Sequence, residues 1–152
     1  MVTSKWIEGH GGSNDSRMIR REVFVREQGI RERDEFDDLD KTCTHLMLYD
    51  GNKPVATGRL YFTGDKVCVV GRIAVLKPFR GQHLGDMIVR MLLDRGLKNG
   101  AKRFEISAQV QAKEFYERFG FEAYGGEYKE AKIPHTRMKA NAGNVTFPRE
   151  CM

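Results

Sequence analysis

The densest chemical signal in this sequence of 152 residues is one stretch: Gly71-Arg72-Ile73-Ala74-Val75-Leu76-Lys77-Pro78-Phe79-Arg80-Gly81-Gln82-His83-Leu84-Gly85. It reads as an apolar strand, a short basic loop and the first turn of an amphipathic helix. A helix N-terminus presents backbone N–H groups with no intrahelical partner and the positive end of the helix dipole, so it suits phosphate oxygens. Glycine lets the backbone come close to an anion, and Lys77 and Arg80 add positive charge. The same pattern also fits a plain strand–turn–helix with a basic loop. Gly-x-x-x-x-Gly-Lys-[Ser/Thr] is absent, so this is not a nucleoside triphosphate loop. The order of strands around it is wrong for a dinucleotide-binding unit.

Other chemistry-bearing residues are scattered. Arg72 lies inside an apolar strand, where a charge is costly unless paired. It reads as an anchor for an acidic group or as half of a structural ion pair. His45 opens a strand, where a capping or structural role fits best. His135 follows Pro134 within a late strand, and its spacing alone favours a structural histidine bonded to a carbonyl. Tyr116, with Phe115 and Phe119, fits plain helix packing. Cys43, Cys68 and Cys151 include no Cys-x-x-Cys pair, which argues against zinc and against a disulfide framework. Cys68 reads as a small buried hydrophobe. Asp34, Glu35, Asp37, Asp38 and Asp40 lack the glycine and terminal glutamate of a calcium loop, so Arg33 to Asp40 reads as a solvated loop or short helix. No metal is expected.

These residues need a scaffold, and periodicity supplies it. Lys5–Glu8 predicts a first strand. Gly11 to Ser16 is a loop rich in N-cap residues, ahead of a helix over Arg17–Gln28 that Gly29 stops. His45–Tyr49 and Val55–Phe62 predict strands joined at Asp50-Gly51-Asn52. Val67–Val75 is apolar on both faces, as a central strand is, and Gly71 within it predicts a bulge or a close backbone approach. A helix over Gln82–Lys98 carries the stripe Leu84, Met87, Ile88, Met91, Leu92 and ends at Gly100. A strand over Phe104–Ala108, a short helix over Gln111–Phe119 and strands over Phe121–Ala131 and Ile133–Lys139 complete a mixed α/β layer fold.

At 40% hydrophobic and 31% charged, the chain suits one globular domain over residues 1–152. No apolar run approaches the ~20 residues that span a bilayer, and Met1 to His10 lacks the apolar core of a signal peptide. A cytoplasmic protein with no membrane partner is the expectation. The net charge of +5 attracts polyanions. The basic residues, however, fall in short clusters at Arg17–Arg21, Arg31–Arg33 and Lys98–Arg103, without the continuous stripe and stacking aromatics of a nucleic-acid binder.

The stretch from Arg72 to Met91 resembles the acyl-CoA motif of the GNAT superfamily, [Arg/Gln]-x-x-Gly-x-[Gly/Ala] at the head of a helix. Arg80 and Gly85 match it, and His83 stands where the middle glycine belongs. Glu114 to Phe121 resembles the superfamily's Phe-Tyr-x-x-x-Gly-Phe element. Ile133-Pro134-His135-Thr136-Arg137-Met138 resembles the Ile-Pro-His-x-x-Met ending of the ElaA-like group, as do Val23–Gln28 and Thr44–Leu46. The resemblance runs from Arg17 to Met138, and Lys139–Met152 has no counterpart.

The resemblance implies a mixed, mostly antiparallel sheet flanked by helices, and an N-acetyltransferase that moves the acetyl group of acetyl-CoA directly onto a primary amine, here of a small molecule. It implies CoA binding by Ile73, Ala74, Val75, Arg80, Gly81, Gln82, His83, Leu84, Gly85 and Tyr116, with backbone amides around Ile73–Val75 facing the oxyanion. It implies His135 as general base, since imidazole titrates near neutrality, and Tyr116 as the acid that protonates the leaving thiolate. Arg26, Gln28, His45 and Arg72 are the acceptor-side candidates, with Arg21 beside them and surface salt bridging as the other reading of the arginines. The alternative is a catalytically silent acyl-CoA-binding regulatory module. Exposed sheet edges near the C-terminus leave room for a homodimer.

Overall fold

A computed structural model describes residues 1–148; Arg149 to Met152, and with them Cys151, lie outside the described residues. The chain runs β1 (Val2–Glu8), α1 (Asn14–Arg20), a π-helical stretch (Arg21–Glu27), α2 (Glu32–Glu35), a 3-10 turn (Asp38–Lys41), β2 (Thr44–Asp50), β3 (Lys53–Thr63) and β4 (Val67–Val75). There follow a 3-10 turn (Lys77–Phe79), α3 (Leu84–Lys98), β5 (Arg103–Gln109), α4 (Lys113–Glu117), β6 (Glu122–Glu130), β7 (Ile133–Asn141) and a final 3-10 turn (Ala142–Asn144). The strands form one sheet in the order β1-β2-β3-β4-β5-β7-β6. The β4–β5 ladder is parallel, and the β1–β2, β2–β3, β5–β7 and β6–β7 ladders are antiparallel. The predicted mixed, mostly antiparallel sheet with flanking helices is the observed architecture. No helix among the described residues is long and apolar enough to cross a membrane.

The residues group into two compact units, Met1–Tyr61 with Arg72–Leu92, and Phe62–Gly71 with Leu93 onward. In the first, Leu46, Met47, Leu48, Val55 and Ala56 of the β2–β3 hairpin are wholly buried with Ile19, Ile88 and Leu92. Gly58 sets how closely α3 lies on β3: a Cβ there would fall 2.7 Å from Ile88 Cγ2 and 3.0 Å from Leu92 Cδ1. In the second, Phe104, Ile106 and Ala108 alternate inward along β5 with Met138 and Ala140 of β7. Gly96 admits the Phe104 ring against α3, because a Cβ there would meet Phe104 Cε1 at 2.4 Å.

Local chemistry moves several predicted boundaries. The first helix starts at Asn14, ahead of the expected Arg17, because Ser13 caps it: its hydroxyl accepts from the Ser16 amide while Ser16 Oγ accepts from the Ser13 amide. Gly29, at φ 74°, ends the helical run where expected. Gly71 is neither left-handed nor closely approached; the left-handed residue in β4 is Arg72, at φ 51°. Glu35 and Asp40 are buried at 3% and 4% exposure, which corrects the solvated reading of the acidic segment. The segment after Lys139 extends β7 and then straps back, with Thr146 bonding the carbonyls of Phe119 and Arg118.

Candidate functional site

The basic turn is built as its sequence suggests. β4 ends at Val75, and the Leu76 amide bonds the Val55 carbonyl at 2.9 Å, which fixes the exit from the strand. Pro78 lies in the following 3-10 turn, where its lack of an N–H does no harm. Gly81 and His83 then take φ values of 84° and 61°. The first helical bond runs from the Met87 amide to the His83 carbonyl, so the amides of Leu84 and Gly85 precede the helical ladder. The left-handed turn at His83 explains the glycine in the family pattern: an ordinary residue in that conformation costs roughly 1–2 kcal/mol. Histidine is among the residues that tolerate it, and its side chain is exposed.

Arg80 is engaged rather than free. Its Nε donates to the Val75 carbonyl at 3.0 Å, and its two terminal nitrogens hold Glu27 in a fork at 3.0 and 2.8 Å. Glu27 ends the π-helical stretch that also carries Arg26. Arg26 itself pairs with Glu22, Gln28 is the exposed residue after the helical run, and Arg21 pairs with Glu32.

Arg72 belongs to a buried charge network of three guanidiniums and three carboxylates. Arg20, 1% exposed, bonds Glu35 through Nε at 2.8 Å and Asp40 through both terminal nitrogens at 2.7 and 3.1 Å. Arg59 holds Asp37 in a fork at 2.7 and 3.0 Å and reaches Asp40 at 2.8 Å. Arg72 donates to the Glu35 carbonyl at 3.1 Å and pairs with Glu35 and Asp37 at 3.2 and 3.3 Å. Burial works to raise all three carboxyls. For Glu35 it prevails over Arg72 and Arg20, and the carboxyl titrates above its ordinary 4.5. For Asp40 the bonds and charges of Arg20 and Arg59 overcome burial and hold it at about 2. Arg59 and Arg72 likewise bring Asp37 below its ordinary value. His45 joins the same region: its Nε2–H donates to the Asp40 carbonyl at 2.9 Å, and burial lowers its proton affinity, so the ring is neutral. A cavity of about 570 Å³ opens beside the network, lined in part by Arg17, Phe36, Asp38 and Lys41.

Tyr116 and His135 lie in the second unit. Tyr116 is 8% exposed, stacked edge-on with Phe115 and Phe121, and burial pushes its phenol above the ordinary 10. It is therefore a protonated donor at neutral pH. His135 is 6% exposed, and its Nδ1 lies 2.7 Å from the Ile133 carbonyl. A carbonyl only accepts, so Nδ1–H donates to it. Nε2 faces the Glu130 carboxylate at 3.5 Å. Cys43 and Cys68 are buried thiols pushed up to about 11 and about 12, so neither is a nucleophile. Among the described residues no group of three or more His, Cys, Asp or Glu side chains could hold a metal.

The structure thus gathers Ile73–Val75, Arg80–Gly85, Arg26, Gln28, His45 and Arg72 in the first unit, and Tyr116 and His135 in the second. Sequence reasoning missed Glu27 and Glu130, the partners of Arg80 and His135, and no pattern marks either. It also missed the network. A signal for that existed, in three arginines set among apolar residues (Ile19-Arg20, Gly58-Arg59-Leu60, Arg72-Ile73) and one acidic segment to match them.

Comparison with known proteins follows the same lines. The model of the acetyltransferase (GNAT) domain matches residues 20–142. The uncharacterised N-acetyltransferase YjcF of Bacillus subtilis is 37% identical over 125 residues, covering 82% of this chain and 89% of that protein. ElaA of Escherichia coli is 30% identical over 124 residues, covering 79% and 81%. Its crystal structure superposes with a TM-score of 0.82, covering 93% of this chain and all of that one. An acyl-CoA N-acyltransferase from Pseudomonas aeruginosa superposes with a TM-score of 0.82 at 27% identity, covering 92% and 99%.

Proposed function

The chain belongs to the GNAT acetyltransferase family, and from that premise we propose that it moves an acetyl group from acetyl-CoA to a primary amine of a small molecule by direct attack. The observation that carries the reading is the turn at Gly81 and His83. It leads a basic loop into a fifteen-residue helix whose leading amides precede the helical ladder, an arrangement suited to a pyrophosphate. Arg80, Gly81, Gln82, His83, Leu84 and Gly85 hold the CoA phosphates in this reading. The amides of Ile73, Ala74 and Val75 receive the acetyl oxygen.

The reaction balances as follows. His135 Nε2 takes one proton from the acceptor's ammonium. The neutral amine attacks the thioester carbon, an N–C bond forms and the carbonyl π electrons move to oxygen, where the amides meet the developing charge. Collapse of the tetrahedral intermediate breaks the C–S bond. The thiolate takes a proton from the Tyr116 hydroxyl, and the surplus proton on nitrogen restores Tyr116 through solvent. The products are the N-acetyl amine, CoA and one proton, which His135 releases. Arg26, Gln28, His45 and Arg72 are the proposed acceptor-side residues. Of these, His45 and Arg72 act through the charge network that already engages them. β6 lies at a sheet edge, and a homodimer through that edge is part of the proposal, to be read by light scattering.

The test is a panel of small amines incubated with the protein and acetyl-CoA, read by a mass increase of one acetyl group and by thiol release. Acetylation of at least one primary amine, with stoichiometric free CoA, is expected. Thiol release without any acetylated amine overturns the transfer.

A further inference from the structure

Glycine aside, Arg72 is the one residue in the described strands whose backbone is left-handed, at φ 51°. His10, Lys66, His83, Ala131 and Lys132 share that conformation but lie in turns between elements. A residue with a Cβ is held there against a steric preference. Asparagine and aspartate reach it by bonding their own backbone. The bonds of Arg72 go instead to a segment 35 to 38 residues earlier. Nε donates to the Glu35 carbonyl at 3.1 Å, and Nη2 reaches the Asp37 carboxylate at 3.3 Å. Both partners are fixed by other arginines. Arg20 bonds the carboxylate and the carbonyl of Glu35, each at 2.8 Å, and Arg59 holds Asp37 in its fork. Charge balance alone does not need a left-handed residue: Arg59 serves the same carboxylates from within β3 on an ordinary backbone.

What the left-handed residue does change is the direction of the chain that follows it. The β4–β5 ladder pairs Val67–Val69 with Arg103–Glu105 and ends there, so it does not fix residue 72. Beyond the turn, Ile73 packs where Gly58 leaves room, and the Leu76 amide bonds the Val55 carbonyl at 2.9 Å. Between these two anchored stretches the turn is held by its own guanidinium. We propose that Arg72 is a positioning residue for acyl transfer: tied to the Glu35 carbonyl and the Asp37 carboxylate, it holds the turn in β4 and so aims the amides of Ile73, Ala74 and Val75 at the acetyl oxygen. This rests on the transfer reading above and refines the part of Arg72 in it. Released from its tether, residue 72 relaxes toward the φ of roughly −120° usual in a strand, and the peptide planes after it turn away. Preorganised donors lose their effect when their direction is lost.

The experiment compares the full chain with Arg72→Ala, Arg72→Gly and Arg72→Lys. Three quantities are read: the backbone amide NMR signals of Ile73, Ala74 and Val75, urea unfolding, and acetyl-transfer kinetics. Arg72→Ala is expected to move all three amide signals and to lower kcat about 10²-fold, with KM for acetyl-CoA unchanged. Glycine takes a positive φ without strain. Arg72→Gly is therefore expected to fold more stably than Arg72→Ala, by about tenfold in the unfolding constant, yet to keep the low kcat, because nothing then holds the turn. That separation of stability from turnover is what a merely structural arginine would not produce. Arg72→Lys keeps the charge among the carboxylates and so keeps the fold, but loses the planar fork; its amide signals and kcat should fall between wild type and Arg72→Ala. It carries the test if Arg72→Ala does not fold. Unmoved signals at Ile73–Val75 in Arg72→Lys and Arg72→Gly, or wild-type kcat in Arg72→Gly, overturns the proposal. If the signals move as stated but no amine is ever acetylated, the transfer reading fails and takes the catalytic purpose of Arg72 with it, while the tether of β4 stands.

Discussion

Replacing Asp40 with asparagine keeps the shape of the side chain and removes one of the three negative charges that face Arg20, Arg59 and Arg72. The magnitude follows from the carboxyl's own titration. Asp40 falls from an ordinary 3.8 to about 2 in the folded chain, and at about 1.36 kcal/mol per tenfold change in proton affinity that is about 2 kcal/mol. The sign follows from linkage. A carboxyl with a depressed folded value stabilises the fold above its unfolded value, and loses that contribution as pH falls through its folded one. Asp40→Asn is therefore expected to be less stable than the wild type by about 2 kcal/mol near neutrality. Its partners Arg20 and Arg59 are left buried and under-compensated, which makes that figure a lower bound. The gap should close as pH falls from about 4 toward about 2, where the wild type protonates Asp40 itself. Glu35 shifts in the opposite direction, so its contribution is lost as pH rises, but it is present in both proteins and largely cancels in the difference. Urea unfolding from pH about 7 down to about 2.5 reads the two curves. A gap of constant size across that range, or no gap at neutrality, would refute the assignment of Asp40's charge to the network.

Arg80→Ala should raise KM for acetyl-CoA about tenfold and change kcat little, because the phosphates do not react; an unchanged KM with collapsed turnover removes Arg80 from the phosphate site. Tyr116→Phe keeps the buried ring and should lower kcat roughly 10²-fold with CoA affinity intact, checked by thiol release at saturating acetyl-CoA; full activity returns Tyr116 to packing alone. Gly120→Ala places a Cβ 2.2 Å from the Asn144 carbonyl oxygen at a φ of 96°. It should destabilise by about 3 kcal/mol, seen as a fall in Tm, and a wild-type Tm would show that the strap over Gly120 yields freely.

The strands β2 to β5 and β7 were legible because they carry apolar residues at period two or on both faces, and the turn at Gly51 because that residue is left-handed, at φ 61°. The helix α3 was legible through Leu84, Ile88 and Leu92, which bury as the stripe predicts. What the pattern hid was long-range. Nothing local distinguishes Glu35 and Asp40, which are buried, from Asp34 and Asp38, which are not. The difference lies in Arg20, 15 residues before Glu35 and 20 before Asp40, and in Arg59 and Arg72 further along the chain. The bulge or close approach expected at Gly71 is not found there, and the left-handed residue of β4 is its neighbour Arg72. Glycine is the default left-handed residue, but here Arg72 takes that conformation while Glu35 and Asp37 hold its guanidinium. Within the candidate site, residue types marked the basic turn and the family resemblance marked His135 and Tyr116, whereas Glu27 and Glu130 became visible only once the fold brought them to their partners.

If the basic turn captures the CoA phosphates as proposed, the fork between Arg80 and Glu27 makes that capture an exchange rather than an addition. An arriving phosphate displaces a carboxylate already seated on both guanidinium nitrogens, and the same toll falls on every anion that uses Arg80. A ligand with a single contact to offer, such as free inorganic phosphate, gains little from the trade. A ligand whose pyrophosphate also reaches the amides of α3 has further bonds to set against it. On that proposal Glu27 is a threshold: it lowers the affinity of all comers by one common amount and leaves occupancy to the ones with many contacts.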